Sequence, residues 1–156
     1  MKKLTIEKIA AQEKQTVLDK MTLSDAQKLG HAIESAAGNK VEDLTITIML
    51  GNRIVYVRAG SNTTYDNDFW ARRKRNVVKQ HAHSSMYVRL DMDADEEGYY
   101  NLTGLNRLDY AIHGGAFPIV VNNVGLVGVI SVSGLPMEED HDICYRGLKI
   151  FKEEYK

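Results

Sequence analysis

One cysteine, two prolines and no long apolar run set the first limits on this 156-residue chain. The lone thiol of Cys144 cannot close an internal disulfide, and no Cys/His spacing points to a structural zinc site, so a reducing, cytoplasmic setting is expected. Met1-Lys2-Lys3 is followed by Glu7, Lys8, Gln12, Glu13 and Lys14, which is not the apolar stretch of a signal peptide. Nowhere do about 18 apolar residues run together, so no membrane span is expected. A dominant charge sign is missing too. Twenty basic residues against twenty-one acidic ones leave a formal net charge of −1, which supplies no long-range field for DNA, RNA or an anionic membrane.

What is present is the composition of a folded chain, 44% hydrophobic and 26% charged, at a length that one core can serve. No linker or internal repeat divides it, so one domain over residues 1–156 is expected. From Leu4 to about Lys20, Ile6, Ile9, Ala10 and Val17 fall near one helical face, interrupted by Glu13. Residues 24–37 read as a second helix, with Ser24 and Gln27 at capping-box spacing and Gly38-Asn39 as the stop. Leu44, Ile46, Ile48 and Leu50 alternate with Thr45, Thr47 and Met49. After Gly51-Asn52 a β-rich run continues from Arg53 to Arg58, which is a hairpin signal because glycine at the first central position suits a type II′ turn.

An amphipathic helix of about four turns follows the polar loop from Gly60 to Asp66. Ser84 to Met92 fits strand and helix alike. Asp91 to Glu97 reads as a solvated connection, and Leu105, Leu108 and Ile112 as a short helix. Phe117 to Val121 and Leu126 to Ser133 form a second hairpin around Asn122-Asn123, and a last helix starts after Pro136, with Glu138, Glu139 and Asp140 suited to its positive end.

Three clusters could carry chemistry. In His113-Gly114-Gly115 the glycines allow positive φ and can aim backbone amides at an anion beside an imidazole; the competing reading is a tight turn. Arg72-Arg73-Lys74-Arg75 with Trp70 could hold a carboxylate or phosphate against an indole wall, although a solvated face paired with acids is the reading favoured for a charge run. At Gly134 to His141, helix capping outweighs anion binding because three acidic side chains compete for the same dipole. His81 and His83, two apart, lack the spacing of a metal pair, and no metal site is expected. Ser84 and Ser85 beside His83 have no nucleophile-elbow motif, and Cys144 reads as a small buried hydrophobe.

Taken in order, Trp70-x-x-Arg73-Lys74-x-Asn76, His83-Ser84-Ser85, His113-Gly114-Gly115-x-Phe117-Pro118 and Val132-Ser133-Gly134-Leu135-Pro136-x-Glu138-Glu139-Asp140-His141 resemble the GlcG/HbpS-like superfamily, whose members carry a haem-degrading label. The likeness runs over nearly the whole chain and is most specific from Trp70 to His141. It implies an α/β (α+β) fold of profilin-like layout, a central antiparallel sheet flanked by helices, and it turns Ser84 to Met92 toward helix. It also implies a homo-oligomer and a small-molecule ligand, haem or another anionic compound. The matched positions place the ligand site at Trp70, Arg73, Lys74, His83, Ser84, Ser85, His113, Gly114 and Gly115, with His83 or His113 as iron partner if haem binds. An oligomeric adaptor that binds other proteins is the alternative, and no catalytic residue is assigned.

Overall fold

Both stretches of apolar alternation form hairpins, and the two hairpins share one sheet. The computed structural model describes residues 3–155. Strands β1 (Thr45–Leu50), β2 (Arg53–Ala59), β3 (Ala116–Val121) and β4 (Gly125–Ser133) pair antiparallel throughout in the order β2-β1-β4-β3. Gly51 takes a φ of 57° in the first turn, a conformation that a Cβ penalises.

Helices α1 (Ile6–Gln15) and α2 (Leu23–Ala37) precede the sheet, while α3 (Tyr65–His81), α4 (Ser85–Asp91) and α5 (Glu96–Thr103) lie between its two hairpins. Helix α6 (Met137–Glu154) closes the chain. On one face of the sheet, Leu29 and Ile33 of α2 and Ile143 and Leu148 of α6 pack on Ile46, Ile48, Ile130 and Val132, all buried. Full burial of each such side chain contributes roughly 1.5–3 kcal/mol. On the other face α3 lies over β4 and β3, where Val78 meets Ala116 and Val129. A satellite core of Val77, Val88, Tyr99 and Ile112 ties α4 and α5 to α3.

Four local expectations need correction. The first helix ends at Gln15, and buried Leu18 instead pairs with Val121 as a parallel bridge outside the named strands. The cap of α2 is Thr22 with Asp25, not Ser24 with Gln27: Thr22 Oγ1 accepts from Asp25 N at 3.0 Å and Asp25 Oδ2 from Thr22 N at 2.9 Å. The acidic connection shrinks to turns over residues 92–95, and a helix not expected there begins at Glu96, because Asp95 caps Gly98 N and Gly104 ends α5 in the left-handed region at φ 73°. The helix expected at Leu105, Leu108 and Ile112 is absent. That stretch runs as turns along α3, held by Ala111 N donating to the Arg73 carbonyl, and Leu108 points to solvent. Ser84 to Met92 is helical, as the resemblance implied, with Ser84 Oγ capping Tyr87 N at 3.1 Å. No helix among the described residues is long and apolar enough to cross a membrane.

Candidate ligand-binding cleft

Lysine at position 74 lies on the inner side of α3, where its side chain can only run down toward the end of β4 and the glycine turn. Its ammonium is 3% exposed and donates to the Val132 carbonyl at 2.7 Å and the Gly114 carbonyl at 3.1 Å, with Asp140 Oδ2 at 3.5 Å. Asp140 is equally buried, and its carboxylate accepts from Leu135 N at 3.0 Å and Gly134 N at 3.3 Å. Burial works against both charges, lowering the Lys74 pKa despite the attraction of Asp140 and pushing Asp140 up to about 6. Gly115 sits against this pair at φ 124°, and a Cβ there would collide with Lys74 Nζ and the Val132 carbonyl. The glycine turn therefore offers a carbonyl to a buried cation. The amides at Gly134 and Leu135 are filled by the chain's own carboxylate, in line with the preference for capping over anion binding at Gly134 to His141.

Above this floor opens a cleft of about 300 Å³ between α3, the glycine turn and the start of α6, at the small end of ligand pockets. The Trp70 and His113 rings form one wall with centroids 4.9 Å apart, and Asn67, Ser133, Leu135 and Met137 line the remainder. His113 Nε2 meets Glu96 Oε1 at 3.0 Å, and burial lowers its pKa, so the imidazole is neutral near pH 7. Nδ1 makes no hydrogen bond among the described residues. Arg73 lies over the indole at 4.6 Å but spends Nε and Nη2 on the Arg107 carbonyl at 3.0 and 2.6 Å.

The description "Haem degrading protein HbpS-like" matches residues 21–149 of this sequence. The chain belongs to the HbpS-like family. A relative described as a UPF0303 protein, from Lactiplantibacillus plantarum, is 38% identical over 90% of this chain and 91% of its own. Among solved structures, the Ybr137w protein superposes with a TM-score of 0.86 at 28% identity, covering 97% of this chain and 90% of that one. A complex of PduOC with haem superposes at 0.69, with 16% identity over 83% of this chain and 94% of that one, a likeness of fold.

Of the positions marked in this HbpS-like chain, Trp70, Lys74, His113 and Gly114 line the cleft, and Gly115 packs against its floor. Arg73 approaches it only through the face of Trp70. Ser85 Oγ accepts from Ala116 N at 3.1 Å and so fastens α4 to β3. His83 lies elsewhere, in a separate depression of about 340 Å³ with His81, Tyr87 and Tyr99. Its Nδ1 meets Glu13 Oε1 at 2.7 Å, the Ser84 amide donates to Glu13 Oε2, and its ring stacks on Tyr87 at 3.8 Å. The preference for a solvated basic face fails at Lys74, which is buried, while Arg72 does pair with Asp109 at 3.1 Å. Sequence reasoning missed three carboxylates: Asp140 passed for a cap, Glu96 for a solvated linker and Glu13 for a flaw in an apolar stripe. Only Glu13 carried a signal, since an acid interrupting a buried face calls for a partner. No group of three His, Cys, Asp or Glu side chains among the described residues could hold a metal ion.

Proposed function

We propose that this chain is a small-molecule-binding protein whose ligand lies on the Trp70–His113 wall of the cleft, with haem as the first ligand to test. The observation that carries this reading is His113. A neutral imidazole held by a carboxylate through one nitrogen, with the other unpartnered beside an open cleft, has the arrangement of an oriented metal-ligating histidine. Haem would gain an iron ligand from His113 and an aromatic surface from Trp70; when bound it supplies its own redox chemistry. The propionates fit less well, because Arg73 and Lys74 are both engaged with carbonyls. Membership of the HbpS-like family and the haem complex formed by PduOC support trying this ligand first. The reading includes self-association, supported by the unpaired outer edge of β2 and the exposed Ile54 and Val57 along that strand.

Haem titration of the wild type, His113→Ala and His83→Ala tests this assignment. A Soret band that His113→Ala weakens and His83→Ala leaves alone is expected. No specific band in the wild type removes haem, and loss only in His83→Ala moves the site to the other depression.

A further inference from the structure

The turn that ends α3 brings His81 and His83 together. Ala82 sits between them in the left-handed region at φ 59°, a place that usually falls to glycine because a Cβ is penalised there. In a continuing helix the two side chains would point about 200° apart. After this turn both line one depression of about 340 Å³.

Each ring has one nitrogen committed. Tyr99 is buried, which raises its pKa, and its phenolic proton has no acceptor among the described residues other than His81 Nε2, at 2.8 Å. Burial lowers the His81 pKa, so that ring is neutral near pH 7 and carries its own proton on Nδ1. His83 has the opposite polarity. Its Nδ1 lies 2.7 Å from the Glu13 carboxylate, which also accepts from the Ser84 amide, so in the neutral ring Nε2 keeps the lone pair.

Nδ1–H of His81 and Nε2 of His83 have no partner among the described residues. Both reach solvent, since the buried side-chain atoms left without a partner there are Thr45 Oγ1, Arg75 Nε and His141 Nδ1. The depression therefore presents one donor and one acceptor, each oriented by a partner on another helix, Tyr99 of α5 and Glu13 of α1. The rest of its lining disfavours an anion. Asp91 is exposed there, no lysine or arginine among the described residues lines it, and Tyr87, Val88 and Leu102 give it an apolar side. Apolar surface beside a few convergent polar groups is what selects a small neutral ligand.

We propose that this depression binds a small neutral ring compound through a lactam-type edge, its carbonyl accepting from His81 Nδ1 and its N–H donating to His83 Nε2, at a site separate from the Trp70–His113 cleft. Glu13 and Tyr99 are positioning residues that fix the two tautomers. A compound with only half of the edge leaves one imidazole nitrogen desolvated and unpaired, which is the source of selectivity.

Long-range proton–nitrogen NMR of the imidazole rings in the full-length protein, titrated with 2-pyridone, tests the site. His81→Phe and His83→Phe assign the signals. A saturable shift of His81 Nδ1 and His83 Nε2 is expected, retained in His113→Ala. N-methyl-2-pyridone, which lacks the N–H, should bind the wild type at least about fivefold more weakly, a comparison that needs no variant. His83→Phe keeps a ring against Tyr87 and should weaken 2-pyridone by a similar factor. No saturable shift at millimolar 2-pyridone overturns the site, and equal binding of the two compounds overturns the paired edge. A shift lost in His113→Ala places the compound in the cleft, with the same result. Imidazole signals that change when the free protein is diluted put a second copy in the depression and also overturn it.

Discussion

Lys74 is a clamp before it is a ligand hook. Its donors are spent on two carbonyls and one carboxylate, joining α3, the glycine turn, β4 and α6 at one buried point. Lys74→Met should cost about 3–5 kcal/mol in urea unfolding, because Asp140 is left buried and unpaired. The double variant Lys74→Met/Asp140→Leu should cost less than the sum of the two single changes, and full additivity would show that the pair is not coupled. His141 supplies a pH prediction. Burial holds its pKa down to about 4; Nε2 is bonded to Gln12 and Nδ1 has no partner. An unfolded histidine titrates near 6.5, so between about pH 6.5 and 4 the unfolded chain binds the extra proton and stability falls as pH falls. Asp140 works the other way. Its raised pKa means that the folded state holds the extra proton between about pH 4 and 6, which adds stability as pH falls through that window. His141→Leu should therefore remove up to roughly 3 kcal/mol of acid destabilisation, and stability curves that stay parallel to the wild type from pH 7 to 4 would refute it.

At the scale of elements, the glycine turn and α1 differ in how firmly they are held. Gly115 combines positive φ with contacts that a Cβ would violate, whereas Gly125 has positive φ, 105°, and open space around it. Gly115→Ala should thus lose at least about 1 kcal/mol more than Gly125→Ala, read from chemical denaturation, because steric collision adds to the backbone strain that both share. Helix α1 buries only Ile9 and docks mainly through side-chain bonds, from Gln12 to His141, Glu13 to His83 and Gln15 to Tyr145. Its amides should exchange with deuterium faster than those of α2 and α6, whose apolar faces are buried on the sheet. Equal protection would mean that α1 opens only with the whole fold.

For the molecule as a whole, assembly is the property most open to measurement. Sedimentation velocity at micromolar concentration should give a symmetric oligomer, a dimer at minimum, and a monomer would remove self-association. Exposed aromatic residues clustered on one face would have favoured an adaptor. The exposed tyrosines are Tyr65, which begins α3, and Tyr155, which follows α6, on separate elements, while Leu23, Leu102, Leu108 and Val124 are distributed over others.

Alternation with threonine in β1 and dense β-branched runs in the other strands, with glycine or asparagine between the runs, determined both hairpins, because these local patterns need no distant partner to be read. Helical periodicity likewise determined α2, α3 and α6. Local pattern failed where tertiary contacts chose the conformation: Tyr99 of α5 is buried beneath α3 and α4, and residues 105–112 follow α3 instead of coiling. Four of the positions marked for the ligand site, Trp70, Lys74, His113 and Gly114, line the cleft, but which carboxylate meets Lys74, His113 or His83 was decided by folding. Those partners lie 66, 17 and 70 residues away along the chain. A charged side chain's sequence neighbours do not disclose whether it will be solvated or buried; the oxygen atoms that the fold brings within about 3 Å of it do.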